Sequence, residues 1–417
     1  MDLSNPTEAP RSLRILGRLA NGAMSRGLLP RRIHPERLLA EARRQTGLND
    51  LGADDWQESL KVLVSSLEND ANLSVIGRHA ARNTIRGAFR NRLLFQQAKE
   101  RQPDALTQPI RRPIVIAAMP RTGTTFLQRL MSAHPDALYL PMWLAMTPMP
   151  AASLAEWKGG GSAQRVARAQ QTSTWAARLN PGLQRKHDNG PREAVECSFL
   201  MMSTFQAVQW WAVWPTHSYV EWLSERDPMP VHEMWRDHLA LLQAPLPGSH
   251  WVLKSPGHFI QLDAVQQTLP NALVVQLHRD PARVLPSTHS LFASAHGLMS
   301  REPEMARVVQ TNTRMLASAS ERVVALRNVS SDGFLDVSYP ELVADPLGVL
   351  RRIYDAANCR WDAEVEQALT ERMTALRAKS SGGHRYTAEQ FGQTAQELRD
   401  QFSTYIDRFD IAPETKR

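Results

Sequence analysis

Two cysteines, Cys197 and Cys359, are too few for a disulfide framework and do not form a metal-type pair. There is no His-Glu-x-x-His helix and no Gly-x-Ser-x-Gly turn, which sets aside the zinc hydrolases and the α/β serine hydrolases. Long hydrophobic runs are missing too: no apolar stretch approaches the roughly 18 to 20 residues that span a bilayer. The Trp-rich stretch from Phe205 to Trp214 is too short and too polar to do so. No secretory-type pattern of basic, apolar and cleavage segments opens the sequence, so the expectation is a cytoplasmic protein. Internal repeats are absent, and the run Gly159-Gly160-Gly161-Ser162 is the single low-complexity tract.

What is present is enough to build a large core: 417 residues, 42% of them apolar. Length allows two or three domains, and one core with extensions is the reading preferred here. The formal charge is +7, and the first 105 residues hold 15 Arg and 2 Lys against 12 acidic residues, so the basic excess is mostly at the front. Segments 35–44, 54–67 and 73–97 carry helical periodicity, with Pro35 at a favourable first-turn position. Residues 1–105 are therefore expected to form a helical cap. Aromatic residues are sparse there, which disfavours nucleic acid as a partner. The amphipathic segment 11–19, with Arg11, Arg14 and Arg18, keeps peripheral membrane contact as a less favoured option.

A Pro-rich stretch, 103–113, separates the cap from a second unit, 106–417. That unit opens on the apolar strand Pro113-Ile114-Val115-Ile116 and breaks into Pro120-Arg121-Thr122-Gly123-Thr124-Thr125, followed by the helical pattern Phe126, Leu127, Leu130, Met131. Free backbone N–H groups and the positive end of a helix meet at such a turn, which makes it an anion cradle. Compared with the ordinary phosphate loop, G-x-x-x-x-G-K-[ST], Thr124 stands at the lysine position and the cation has moved to Arg121. A loop without its lysine argues against hydrolysis of ATP or GTP. Further strands at about 251–254, 273–277 and 334–338, interleaved with helices, imply a central parallel sheet flanked by helices. The fold class is α/β with a P-loop-like core, plus the helical cap and a helical insertion at about 135–250. That insertion concentrates Trp143, Trp157, Trp175, Trp210, Trp211, Trp214, Trp222 and Trp235 and is expected to build an acceptor pocket.

Pro120-Arg121-Thr122-Gly123-Thr124-Thr125 resembles the P-[KR]-x-G-T-T donor loop of sulfotransferases that use 3′-phosphoadenosine 5′-phosphosulfate (PAPS). Four further segments match the same family in order. Arg279, in His278-Arg279-Asp280-Pro281, and Ser287 eight residues later resemble its 3′-phosphate pair. Trp251-Val252-Leu253-Lys254-Ser255-Pro256-Gly257-His258 resembles its W-x-L-K-[ST]-P-x-H segment. The stretch 336–346 resembles its strand with an adenine-contacting tyrosine, here Tyr339, and Gly383-His384-Arg385-Tyr386 resembles its late basic loop. The likeness is greatest to a bacterial branch with a helical N-terminal extension. The late loop departs from that branch, with Gln390 and Gln393 where an acidic residue and a leucine are usual.

This resemblance implies a sulfuryl transfer from PAPS to a hydroxyl or amine of a small, partly apolar or lipid-like acceptor, with no metal required. Arg121, Thr122, Gly123, Thr124 and Thr125 would hold the 5′-phosphosulfate, Lys254 would face the transferred group, and Arg279 and Ser287 would take the 3′-phosphate. Phe126 could stack on adenine or belong to the core, and Arg385 could bind the donor or lie in a solvated loop. The acceptor must lose a proton, and His258 is ranked first as its base, with Glu196 second and Glu193 beside it. Two alternatives stand beside it: a Mg-ATP-dependent small-molecule kinase, which shares the α/β core and a phosphate loop but lacks the loop lysine, and a non-catalytic bisphosphate-binding module whose basic helical cap holds a partner or a membrane.

Overall fold

The computed structural model describes residues 10–26, 32–186, 190–379 and 386–414. Five strands form one parallel sheet in the order β2-β3-β1-β4-β5: β1 Pro113–Ile116, β2 Ala137–Leu138, β3 His250–Lys254, β4 Leu273–His278 and β5 Phe334–Ser338. β1 and β3 are buried along their whole length, and both read as near-continuous apolar runs. A parallel sheet covered on both faces demands that pattern. The chain builds β2 and β3 on one side of β1 and then crosses to β4 and β5 on the other. The strand order thus reverses around β1, and ligands of open α/β sheets bind at the carboxyl ends of strands at such a point.

Register decides which side chains meet there. Ile116 pairs with Lys254, so the last residue of β3 stands beside the start of the loop after β1. His278 pairs with Ser338, so Arg279 and Tyr339, each one residue further on, also emerge side by side. Alternation along the strands sorts the core: Val115, Leu253 and Val274 face one layer, while Ile114, Ile116, Val252 and Val275 face the other.

The front helices are Arg11–Ser25, Pro35–Thr46, Trp56–Asn69 and Val75–Arg101. Pro35 occupies the first turn as expected, and the Ser74 hydroxyl caps the long helix by accepting from the Gly77 N–H at 2.9 Å. The expected linker holds a short helix of its own, Pro103–Thr107, begun by Pro103. β2, at two residues, is too short to leave a periodic trace in the sequence.

Leu63, Ile85 and Phe89 from the front helices share one continuous apolar cluster with Val115 and Leu253 of the sheet and Trp210 and Trp235 of the insertion. An aromatic seam runs through it. Trp56 meets Phe89 edge-on at 5.6 Å, Phe89 meets Phe205 at 5.1 Å, Phe205 stacks on Trp210 at 6.2 Å, and Trp210 stacks on Trp214 at 5.5 Å. The Trp214 indole N–H donates to Gly77 O at 3.2 Å, and that of Trp211 to Asn312 Oδ1 at 2.9 Å. Trp143, Trp210, Trp211, Trp214 and Trp235 are all buried; four of them pack in the cluster that joins cap, insertion and sheet, while Trp211 packs apart from it with Val220, Phe292 and Val308. Trp175 is exposed. Among the described residues, no helix is long and apolar enough to cross a membrane.

Candidate active site

Pairing continues one residue past β1, where the Ala117 N–H donates to Val275 O at 3.0 Å. The chain then turns through Arg121 at φ 67° and Gly123 at φ 94°, both left-handed. For an arginine this backbone costs about 1–2 kcal/mol, a strain typical of ligand-clamping loops. The left-handed backbone favours glycine at Gly123, and a Cβ there would lie 3.0 Å from Leu342 Cδ2, so that side chain would have to shift as well. The helix Thr124–Met131 starts immediately after, with no side-chain cap on its first turn. Its N–H groups point into the loop, an arrangement suited to an anion. The Thr122 hydroxyl donates to Met119 O at 2.8 Å, so Thr122 closes the loop from inside. Thr124 is buried and Thr125 half-buried.

Lys254 reaches the loop from β3. Its side chain is 2% exposed, and Nζ donates to Glu196 Oε1 at 2.9 Å and to Thr125 Oγ1 at 3.4 Å. Glu196 is brought there by its neighbour: the Cys197 N–H donates to Lys254 O at 2.8 Å. Ser198 Oγ lies 3.4 Å from Glu196 Oε2 and 3.0 Å from Gln209 Oε1. Burial pushes the Cys197 thiol up to about 12, which keeps it unreactive. Glu193 points elsewhere, into an ion-pair cluster with Arg372 and with Arg129 Nε at 3.6 Å. His258 is fully enclosed, its ring 4.5 Å from that of Trp235, and neither ring nitrogen meets a hydrogen-bond partner among the described residues. Burial, followed by the nearby His232 and Lys254, holds its pKa well below the usual histidine range, so the imidazole is neutral.

The second candidate anion site lies at the ends of β4 and β5. Asp280 caps the helix Pro281–Met299 by accepting from the Ala282 N–H at 2.9 Å, and Ser287 lies in the second turn. Arg121 Nε donates to Ser287 Oγ at 3.1 Å, while Arg279 Nη1 donates to Arg121 O at 2.9 Å. The two sites predicted from separate motifs are therefore tied together directly. Arg279 stacks on Tyr339 with its guanidinium carbon 3.8 Å from the ring centroid. Phe126 is half-buried against the layer containing Ile114 and Leu127. Arg385 lies outside the described residues. Sequence reasoning missed Arg283 and Glu414, which join this site: Glu414 takes both Nε and Nη2 of Arg279 at 2.7 and 3.1 Å, and Arg283 Nη2 donates to Glu414 O at 3.1 Å. Arg283 was readable as one helical turn beyond Arg279, but nothing near Glu414 signals its role.

Residues 113–363 match the model of the sulfotransferase family, a span covering more than half of the chain and including both anion sites and Lys254. The chain belongs to the sulfotransferase family. Among solved structures, sulfotransferase STF1 from Mycobacterium tuberculosis H37Rv is 32% identical over 89% of this chain and 99% of its own, with a TM-score of 0.77. Sulfotransferase STF9 from Mycobacterium avium is 25% identical over 91% and 98%, with a TM-score of 0.81. A curated relative, the omega-hydroxy-beta-dihydromenaquinone-9 sulfotransferase Stf3 of Mycobacterium bovis, is 30% identical over 110 residues. That match spans about a quarter of each protein: 25% of this chain and 27% of the relative. Family and fold together favour the sulfotransferase reading over the kinase and the non-catalytic module.

A cavity of about 500 Å³ opens beyond the Lys254 segment, between the insertion and the helix Met305–Val329. Its lining is mixed: Val208, Val220, Leu223, Ile260 and Met315 are apolar, and Glu221, Glu225, Arg226, Asp263, Arg314 and Arg322 are charged. Val208 separates it from Gly257, whose absent Cβ would sit 3.3 Å from Val208 Cγ1.

Proposed function

We propose that this protein transfers the sulfuryl group of PAPS to a hydroxyl of a partly apolar, lipid-like acceptor. The observation that carries this reading is the pair of anion sites joined through Arg121, one made by a helix N-terminus and the other by an arginine and a serine. A donor with phosphates at both the 5′ and 3′ positions needs two such sites; a mononucleotide needs one. The loop N–H groups with Thr124 and Thr125 would hold the 5′ end, and Arg279 and Ser287 the 3′-phosphate. The 106–417 unit supplies this machinery, and the 135–250 insertion one wall of the acceptor cavity. The relative's name, which specifies a hydroxylated dihydromenaquinone, supports a lipid-like acceptor.

In the reaction, the acceptor oxygen attacks sulfur, the bond from sulfur to the bridging oxygen of the 5′-phosphate breaks, and 3′-phosphoadenosine 5′-phosphate (PAP) leaves. Lys254 offsets the charge that grows on the bridging oxygen. Its bond to Glu196 gives this step a second half: when the donor draws the ammonium toward the phosphosulfate, the Glu196 carboxylate is released to accept the acceptor's proton. We therefore place Glu196 ahead of His258 as the base. The enclosed, neutral His258 acts on this reading as packing beneath the Lys254 turn.

Metal-free calorimetry with PAP, AMP and Mg-ATP tests the donor assignment. Preference for PAP supports it; preference for Mg-ATP rejects it in favour of a kinase. Turnover with Glu196→Gln and His258→Ala tests the base, and loss of kcat in His258→Ala with full activity in Glu196→Gln would reverse the ranking.

A further inference from the structure

The contact between Arg279 and Glu414 has the form of an enzyme group meeting its ligand. Arg279 presents a planar fork of five N–H donors. The Nε and Nη2 edge is filled by the two carboxylate oxygens of Glu414, at 2.7 and 3.1 Å. One face is covered by the Tyr339 ring at 3.8 Å, and Nη1 is engaged by Arg121 O at 2.9 Å. A phosphate arriving at Arg279 finds no complete edge until the carboxylate leaves.

The backbone beneath Glu414 is anchored separately. Its N–H donates to Asp280 Oδ2 at 2.9 Å, and its carbonyl accepts from Arg283 at 3.1 Å. Asp280 is fixed in turn by Arg399 at 2.7 Å. The carboxylate can therefore rotate off Arg279 while the main chain stays in place. Both partners keep a solvated side, with Glu414 25% and Arg279 20% exposed, so there is room for that rotation.

We infer that Glu414 is an internal stand-in for the donor's 3′-phosphate, an autoinhibitory side chain that PAPS must displace from Arg279. This rests on the proposed reading of Arg279 as the 3′-phosphate site. Exchange is favourable because a phosphate carries about two negative charges and three acceptor oxygens against one charge and two oxygens. A nucleotide lacking the 3′-phosphate leaves Glu414 where it is. The donor site thus opens fully only for a bisphosphate, and the affinity for that ligand is reduced by the work of displacement.

The test is calorimetry of PAP and AMP on the full chain with Glu414→Gln, which keeps the shape and removes the charge, and with Arg279→Ala. Glu414→Gln should bind PAP about tenfold more tightly than the unaltered protein, the loss of one charged hydrogen-bonded competitor, and bind AMP equally well. Arg279→Ala should lose the preference for PAP. If PAP outbinds AMP through Arg279 but Glu414→Gln changes nothing, the stand-in is wrong and the site reading survives. If PAP binds no better than AMP in both the unaltered protein and Glu414→Gln, the site reading fails and takes the stand-in with it. A gain in PAP and AMP affinity together in Glu414→Gln would overturn the stand-in, since it would mark a general electrostatic effect.

Discussion

Replacing Glu196 with glutamine should destabilise the protein and make it depend on its ligand. Lys254 is 2% exposed and Glu196 is its carboxylate partner at 2.9 Å, so the substitution leaves a buried ammonium without that counter-charge. Breaking one side of a buried pair costs about 3 kcal/mol, because the remaining charge stays desolvated. Unfolding entropy of about 2.1 cal/mol/K per residue amounts to about 0.9 kcal/mol/K for a chain of this length, so the melting temperature should fall by about 3 °C. Lys254→Met should cost less, since Glu196 is 17% exposed and keeps water and Ser198. The double variant should recover most of the loss. PAP should then raise the melting temperature of Glu196→Gln more than that of the unaltered protein, because the phosphate replaces the missing carboxylate. Scanning calorimetry with and without PAP reads all four quantities. An undiminished melting temperature in Glu196→Gln, together with an unchanged PAP shift, would refute both the energetic importance of the pair and the placement of Lys254 at the donor.

Acid should unfold the protein early. Burial lowers the pKa of His238 and His289 to about 4 and of His250 and His296 to about 3, so all four are neutral in the fold, whereas the unfolded chain protonates them below the ordinary value near 6.5. Stability is therefore lost as pH falls from about 6.5, toward 4 for His238 and His289 and toward 3 for His250 and His296; at about pH 5 each costs on the order of 2 kcal/mol, a substantial share of an ordinary domain's stability. A melting temperature that stays level from neutrality to about pH 5 would contradict this. Gly77→Ala should cost about 3 kcal/mol, since the new Cβ would lie 1.9 Å from Met299 O and force the long cap helix off the helix ending there; an unchanged urea midpoint would show that the two backbones can part freely. Arg121→Ala should abolish PAP binding, because it removes the side chain that bonds Ser287 and the cation of the loop, and retained affinity in calorimetry would reject its role.

The proposed donor side was legible as a pattern because its elements are local. A β-branched run, Gly123 and two threonines specify a strand, a left-handed turn and a helix start within about a dozen residues, and Arg279 with Ser287 spans two helical turns after a strand end. The proposed acceptor side was not legible in the same way. Sequence periodicity cannot tell a tryptophan that lines a cavity from one that fills a core, and at Trp143, Trp210, Trp211, Trp214 and Trp235 the core claimed the residue. The choice between His258 and Glu196 depends on enclosure and on a lysine 58 positions away, both consequences of tertiary packing. Glu414 lies 135 positions from Arg279, and a lone glutamate after a proline has no pattern to announce it.

The aromatic seam from Trp56 to Trp214 also bears on how such an enzyme can be recombined. Two of its rings come from the front helices and three from the insertion, and the two groups meet at Phe205, which contacts both Trp56 and Phe89, so neither segment owns a finished surface along the join. A chimera cut near residue 105 would part Phe205 from Trp56 and Phe89 and ask a foreign front segment to refill that contact. Exchange of the front segment between relatives is thus a poor route to new acceptors. Point changes at Val208, Leu223 or Ile260 reshape the cavity while leaving the join whole.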